Sequence, residues 1–149
     1  MLGASTTQLF RNLSYSLEFP TGAEIVISAV DHEANIAPWV TLAKRQQLIL
    51  KWWKPQPSKN PKLLASDLDA LLSEKTVLVT CTHASNVLGS IHNIKAIAAA
   101  VHAKSNALIA VDGVSYAPHR QIDVQDLGID FYCFSWYKVT RIPFPFILL

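Results

Sequence analysis

Two side chains near the C-terminal end of the sequence could perform chemistry together, the carboxylate of Asp112 and the amine of Lys138. Asp112 ends an apolar run that begins at Ala107, and Lys138 ends a second run that begins at Phe131. Such runs predict buried strands, and ligands of open α/β sheets lie at the carboxyl ends of parallel strands. An acid and a lysine there predict a pyridoxal 5'-phosphate site, in which the lysine forms a Schiff base and the acid holds the pyridine nitrogen protonated.

Helices alternate with strands along the chain, which predicts an α/β fold: three αβα layers around a mostly parallel sheet with right-handed crossovers. The helix over residues 66–72 rests on a capping box formed by Ser66 and Asp69. Residues 54–61 are predicted to be a loop and residues 116–126 an irregular stretch. Helices are predicted over residues 6–17, 36–47, 66–72 and 93–104, and strands over residues 24–29, 48–53, 76–82, 107–113 and 131–138.

Polar side chains follow each predicted strand, and the carboxyl ends of parallel strands share one edge of the sheet. A Ser5-Thr6-Thr7 cluster begins the first helix, where free amides and the helix dipole favour phosphate. This edge therefore gathers a ring for stacking, an amide donor, an acid, hydroxyls and a lysine. The candidates in the loops after the strands are His32, then His83, Ser85 and Asn86, then Asp112 and Ser115, and last Ser135, Tyr137 and Lys138.

The composition narrows the class of protein. The chain has 149 residues, 50% of them hydrophobic and 16% charged, which suits strands buried on both faces or a piece of a larger protein. A net charge of +2 without a basic cluster argues against nucleic-acid partners. Cys81 and Cys133 lie in predicted strands and are expected to be core residues. No signal peptide or membrane-length apolar run is seen, so the expected location is intracellular, in the cytoplasm, without a membrane partner.

Four segments of this chain resemble the class V aminotransferase and cysteine desulfurase family, in the family's order and at compatible spacing. The resemblance covers about residues 3–139 and implies part of the large domain of a fold type I pyridoxal-phosphate-dependent transferase, with five parallel strands. The segments are DHEANIAPW at 31–39, THASNVLG at 82–89, VDG at 111–113 with APH at 117–119, and FSWYK at 134–138.

The resemblance also implies a role for each candidate residue. Lys138 would be the catalytic lysine that carries the cofactor. Asp112 would pair with the pyridinium nitrogen, His32 would stack on the ring and Asn86 would bind the phenolic oxygen. The remaining cofactor-binding candidates are Thr6, Thr7 and Ser135 for the phosphate, with Ser115 and Tyr137 beside them.

The chain departs from the family at two site positions and at its end. Many desulfurases have glutamine where this chain has Ser115 and histidine where it has Tyr137. The family's substrate-binding arginine and persulfide cysteine lie beyond residue 149. We therefore expect residues 1–139 to be a partial cofactor-binding domain and residues 140–149 to be an aberrant tail after truncation. The full-length family member is expected to be a homodimer that acts on an amino acid.

Three classes of function stay open at this point. The first is a pyridoxal-phosphate enzyme, the second a non-catalytic remnant of one, and the third a nucleotide-binding domain, which the absence of a Gly-x-Gly-x-x-Gly or P-loop motif disfavours. Taken singly, each candidate has an ordinary explanation as a cap, a turn or a solvated loop residue. We prefer that explanation for His83 and His119.

The purified chain is expected to dissolve poorly and to show no turnover. The missing neighbours of the sheet would leave an apolar face and a strand edge open to water. Incubation with pyridoxal 5'-phosphate and amino acids should therefore release neither sulfide nor keto acid. Robust desulfurase or transaminase activity from the 149-residue protein would refute this expectation.

Overall fold

One sheet with helices on both faces organises the chain. The computed structural model describes residues 1–140 and 146–148, with the backbone alone for residues 140 and 146–148. No helix within this described part is long and apolar enough to cross a membrane. The elements in chain order are β1 Leu2–Gly3, α1 Thr6–Ser16, β2 Glu24–Ser28, a 3-10 turn Glu33–Asn35, α2 Ala37–Gln46, β3 Ile49–Trp53, a 3-10 turn Ala65–Leu68, β4 Thr76–Thr82, α3 Ile94–His102, β5 Leu108–Asp112, α4 Val124–Leu127, β6 Phe131–Phe134, α5 Trp136–Thr140 and β7 Phe146–Leu148.

The sheet has the strand order β1-β7-β6-β5-β4-β2-β3. The five strands from β6 to β3 pair in parallel, as predicted. At the other edge β7 pairs antiparallel with β6 and with β1. The sequence did not predict the strands β1 and β7. The predicted α/β class with a mostly parallel sheet is confirmed, and its parallel strands end together at one edge.

Two apolar cores cover the two faces of this sheet. Successive residues of a strand point to opposite faces, so Ile25 of β2 packs with α1 and α2 while Val26 packs with α3. Trp39 of α2 is fully buried in the first core and Ile97 of α3 is almost fully buried in the second. Burial on both faces explains why the parallel strands are nearly continuous apolar runs. Both predicted core cysteines, Cys81 and Cys133, are buried and free.

The strand predicted over residues 131–138 is wrong in its second half. Parallel pairing of β6 with β5 ends where Asp112 meets Cys133, and β6 itself ends at Phe134. The chain then turns into α5, where the N–H of Lys138 donates to the carbonyl of Ser135 at 3.2 Å. Lys138 is therefore displayed by a helical turn beyond the strand rather than by the strand end.

The helix predicted over residues 66–72 is also wrong. A short 3-10 turn, Ala65–Leu68, stands there instead, and its N-cap Leu64 makes no side-chain capping bond, so the proposed capping box is absent. The carbonyl of Leu71 accepts from Lys51 Nζ at 2.8 Å, a tertiary contact that local sequence does not reveal. In the stretch predicted to be irregular, the short helix α4 forms, and the Asp123 side chain caps it by accepting from the N–H groups of Gln125 and Asp126.

The division at residue 139 stays a prediction. Residues 141–145 and 149 lie outside the described residues. The backbone of residues 146–148 forms β7 at the antiparallel edge of the sheet.

Candidate cofactor site

A cavity of about 160 Å³ lies at the carboxyl edge of the parallel strands. Its wall is built from the loops after β2, β4, β5 and β6 and from the first turn of α1, as the topology predicts. Of the nine residues predicted to be catalytic or cofactor-binding, Ser135 is the one that does not line this cavity. Eight of the nine predicted site residues do: Thr6, Thr7, His32, Asn86, Asp112, Ser115, Tyr137 and Lys138.

Asp112 is the last residue of β5 and is only 5% exposed. Its Oδ1 accepts a hydrogen bond from the Val114 N–H at 2.9 Å. Burial raises the pKa of this carboxyl, while the Val114 N–H and the charges of His32 and Lys138 oppose that rise. An acid in such surroundings gains from any cationic N–H partner placed beside it.

Gly113 allows the chain to turn sharply directly after this acid. Its N–H donates to the carbonyl of Cys133 at 2.8 Å, which ties the turn to β6. A Cβ added at Gly113 would overlap the ring of Tyr132, so only glycine fits there. The Asp-Gly pair is therefore a packed junction between β5 and β6 rather than a solvated turn.

The first turn of α1 has the properties of an anion site. The hydroxyl of Ser5 accepts from the Gln8 N–H at 3.0 Å, and Gln8 Oε1 accepts from the Ala4 N–H at 2.9 Å. Thr6 and Thr7 occupy the first two helical positions, and no acidic residue lies in this turn. Ser5, Thr6 and Thr7 line the cavity, so the remaining N–H groups of the first turn and the positive end of the helix dipole favour an anion at this edge.

Ser135 carries a buried hydroxyl without a partner. The residue is 1% exposed, and within the described part of the chain its Oγ makes no hydrogen bond. Buried hydroxyls are nearly always hydrogen-bonded in folded proteins. The orphaned Oγ directly after β6 therefore marks a position where a ligand oxygen would be stabilised.

His32 faces the cavity from the loop after β2. Its Nδ1 accepts a hydrogen bond from the Ala34 N–H at 3.1 Å, so the side chain caps the following 3-10 turn. This contact places the proton of a neutral ring on Nε2. The ring is exposed, as a surface for stacking must be.

Asp31 is a site residue that the sequence did not single out. Its Oδ1 accepts from the Thr82 N–H at 2.9 Å and its Oδ2 accepts from Asn35 Nδ2 at 2.6 Å. Burial, with a further contribution from the charge of Asp112, raises the pKa of Asp31 to about 7. In the sequence, the one feature that could have identified Asp31 as a site residue is its position directly before His32 in the segment 31–39.

His83, predicted to be an ordinary loop histidine, lies in the loop directly after β4 but is packed rather than solvated. His83 is buried, and its ring stacks on Tyr116 with the centroids 3.5 Å apart. Its Nδ1 lies 2.9 Å from the hydroxyl of Tyr132, the ring that presses on Gly113. Burial, with a contribution from His92, lowers the pKa of His83 to about 4, so the ring is neutral and structural.

A larger cavity of about 730 Å³ adjoins the first. Both are lined by Asn86, Ser115, Tyr137 and Lys138, so the lysine amine stands between them. Arg120 also lines the larger cavity and makes no ion pair among the described residues. The arrangement provides room for a small anionic molecule beside the amine. His119, predicted to be a loop histidine, is exposed on this wall.

The Asp31→Asn variant is expected to gain stability relative to the wild type as pH rises from about 4 to about 7. In the folded protein the pKa of Asp31 is about 7, above its ordinary value of 3.8. The folded wild type therefore binds a proton in this window that the unfolded chain lacks, and it loses stability as pH rises. The variant has no such group. The difference in unfolding free energy between the variant and the wild type should therefore change by more than about 1 kcal/mol between about pH 4 and about pH 7.

Urea unfolding at four pH values across this window measures that difference. The low pKa values of His83 and His92 act in the opposite direction, but they are common to both proteins and cancel. Glu33→Gln, an exposed carboxylate in the same loop, is the control and should show no trend. A pH-independent difference for Asp31→Asn would contradict the raised pKa.

Comparison with protein families decides what kind of domain carries this site. The family model described as aminotransferase class-V matches residues 3–140. The chain belongs to this family. The class V match therefore includes every predicted site residue and all five parallel strands.

Curated relatives of this class V chain include longer proteins from fungi and bacteria. The aminotransferase-like protein FGM3 of Gibberella zeae is 57% identical over 139 residues, which are 93% of this chain and 35% of that protein. The cysteine desulfurase-like protein ustD of Aspergillus flavus is 47% identical over 143 residues, 92% of this chain and 33% of that protein. The chain thus spans about a third of the length of these relatives.

Solved structures share the fold of this chain. The apo structure of a cysteine desulfurase from Thermococcus onnurineus superposes with a TM-score of 0.84 at 26% identity, over 93% of this chain and 34% of that one. A C-DES variant with glycine covalently linked to its PLP cofactor gives a TM-score of 0.87 at 21% identity, over 98% of this chain and 39% of that one. At 21% identity, the likeness between the C-DES variant and this chain is one of fold alone.

Proposed function

We propose that the smaller cavity binds pyridoxal 5'-phosphate and that Lys138 is the point of covalent attachment. The observation that carries the proposal is that Lys138 and the buried Asp112 line one cavity from α5 and β5. The shared fold supports it, since a solved C-DES variant with this fold carries a PLP cofactor. When bound, the group supplies an electron sink for bonds at the Cα of an amino acid.

The phosphate end of the cofactor fits the hydroxyl-rich side of the cavity. Thr6 and Thr7 offer hydroxyls and first-turn amides of α1, where an anion is favoured. The orphaned Oγ of Ser135 would gain its missing partner from a phosphate oxygen. Tyr137, which stands where many desulfurases have histidine, would donate from its hydroxyl.

The ring end fits the remaining residues. Asp112 would accept a charge-assisted hydrogen bond from the protonated pyridine nitrogen, which offsets the cost of burying its carboxylate. His32 would stack on one face, and Asn86 would donate to the phenolic oxygen. Ser115 has a shorter reach than glutamine, so its contact to that oxygen would pass through a water.

Ser135→Ala is expected to weaken binding of pyridoxal 5'-phosphate by about tenfold and to leave binding of pyridoxal, which lacks the phosphate, unchanged. The lost hydrogen bond to phosphate is worth about that factor. Because the Oγ has no partner among the described residues, its removal should not lower the melting temperature of the apo protein. Absorbance titrations with both aldehydes measure the two affinities.

The control for this experiment is Ser16→Ala, near the far end of α1, where the hydroxyl bonds only the Leu13 carbonyl. It should change neither affinity. Equal weakening for both aldehydes in Ser135→Ala would contradict a phosphate role, and failure of the wild type to bind either aldehyde would contradict the cofactor proposal.

For the whole protein we propose an amino-acid substrate and a homodimer. Relatives named aminotransferase-like and cysteine desulfurase-like support chemistry at an amino acid. The larger cavity offers the substrate a place beside Lys138, with Arg120 as a cation for a carboxylate. Lys138 Nζ would move the proton at the substrate Cα. We also propose that the whole protein is located inside the cell.

A further inference from the structure

Three side chains of the segment 31–39 form a hydrogen-bonded chain that the cofactor contacts do not explain. Trp39 Nε1 donates to Asn35 Oδ1 at 2.8 Å, and Asn35 Nδ2 donates to Asp31 Oδ2 at 2.6 Å. Asn35 and Trp39 are fully buried. The spacing of four residues places the three groups on one side of the segment. This series of hydrogen bonds therefore runs from Trp39 in the core beneath α2 to Asp31, the acid that precedes His32.

The other oxygen of Asp31 leaves this segment and reaches β4. Oδ1 accepts from the N–H of Thr82, the last residue of β4, at 2.9 Å. Thr82 lies opposite Asp112 in the register of β4 with β5, and it lines the smaller cavity. One carboxylate thus links the loop that carries His32 to the strand beside Asp112.

We propose that Asp31 is a positioning residue of the cofactor site: its carboxylate holds the His32 loop against the end of β4 and so fixes His32 relative to Asp112. The proposal rests on the cofactor function proposed above. A carboxyl group suits the task because its two oxygens accept from two donors at once, and above its pKa of about 7 each bond is charge-assisted. An amide offers one oxygen, and its NH₂ group would face the NH₂ group of Asn35.

The position of Asp31 disfavours the ionised form of its carboxyl group. Its carboxylate is enclosed, and the like charge of Asp112 adds to the rise of its pKa. The loop is also tied by a weaker contact, Asn35 Nδ2 to the carbonyl of Cys81 at 3.4 Å. Loss of the Asp31 contacts should therefore loosen the His32 loop while the strands stay paired.

Amide hydrogen exchange on the chain without added cofactor tests this positioning directly. In Asp31→Asn and Asp31→Ala, the amides of Ala34 and Asn35 should exchange at least about tenfold faster than in the wild type. Both amides bond to His32, and the loop that holds them there loses the bonds from Thr82 N–H and Asn35 Nδ2 to Asp31. The amides of β5 should keep their wild-type rates. Glu33→Gln, exposed in the same loop, should exchange like the wild type.

Two results of this exchange experiment would overturn the proposal. Unchanged rates at Ala34 and Asn35 in both variants would show that Asp31 does not hold the loop. Equal acceleration in the loop and in β5 would show that Asp31 stabilises the whole fold rather than positioning His32.

A titration with pyridoxal 5'-phosphate then connects the loop to the site. Asp31→Asn should weaken binding by about tenfold, and Glu33→Gln should leave it unchanged. A loosened loop with wild-type affinity would overturn the positioning role. If the wild type itself binds no cofactor, the proposed function fails, and the exchange rates alone decide whether Asp31 holds the loop.

Discussion

Replacing Lys138 by alanine is expected to abolish the absorbance band that pyridoxal 5'-phosphate gains when its aldehyde condenses with a protein amine. Nζ of Lys138 is the one lysine amine on the described wall of the cavity. Alanine leaves the phosphate and ring contacts in place, so the cofactor should still bind, but more weakly and without a covalent link. Absorbance titration of both proteins under equal conditions measures the effect.

The control for this variant is Lys44→Ala. Lys44 lies exposed in the last turn of α2, away from the cavity, and its loss should leave the band unchanged. A band of full strength in Lys138→Ala would show that another amine condenses with the aldehyde. The attachment point proposed here would then be wrong.

Asp112→Asn is expected to change stability and cofactor affinity in opposite directions. Burial raises the pKa of Asp112, so the folded apo protein is penalised for the ionised carboxylate. Asparagine removes that charge and keeps an oxygen for the Val114 N–H. The apo melting temperature should therefore rise, by about 3 °C. Affinity for pyridoxal 5'-phosphate should fall at least about tenfold, since the charge-assisted bond to the ring nitrogen is lost.

Thermal unfolding of the apo proteins and absorbance titration measure the two effects. The control is Asp69→Asn, which breaks an exposed ion pair with Lys104 and should change neither quantity noticeably. A fall in both melting temperature and affinity for Asp112→Asn would indicate general damage to the fold. That outcome would remove the argument that Asp112 is kept for a cationic partner.

The positions of the parallel strands could be predicted because local pattern and tertiary burial agree there. The run from Thr76 to Thr82 is flanked by cores on both sides, so its apolar, β-branched composition has one structural solution. Once the strands are parallel, their carboxyl ends must meet. That is why eight of nine candidates, chosen from the sequence, line one cavity.

The end of β6 could not be predicted in the same way. Residues 131–137 are apolar or aromatic apart from Ser135, and a short apolar run does not distinguish a strand from a helical turn. Pairing decides the boundary: β5 ends at Asp112, and β6 has no parallel partner beyond Cys133. The consequence for the site is that α5, rather than a strand, presents Lys138.

The roles of Asp31 and His83 depend on contacts between distant parts of the chain. Asp31 bonds Thr82, and His83 lies between Tyr116 and Tyr132. A single sequence shows none of these pairs, because each joins residues that are far apart along the chain. In the sequence Asp31 stands out only because it precedes His32, and the segment around it predicts no more than a polar loop.

The measurement that tests the central claim most directly is reductive trapping followed by peptide mapping. The purified chain is mixed with pyridoxal 5'-phosphate, reduced with borohydride, digested, and analysed by mass spectrometry. Our account predicts one modified peptide, labelled at Lys138, at close to one equivalent per chain. Labelling scattered over exposed lysines such as Lys44 and Lys95, or no labelling at all, would contradict it.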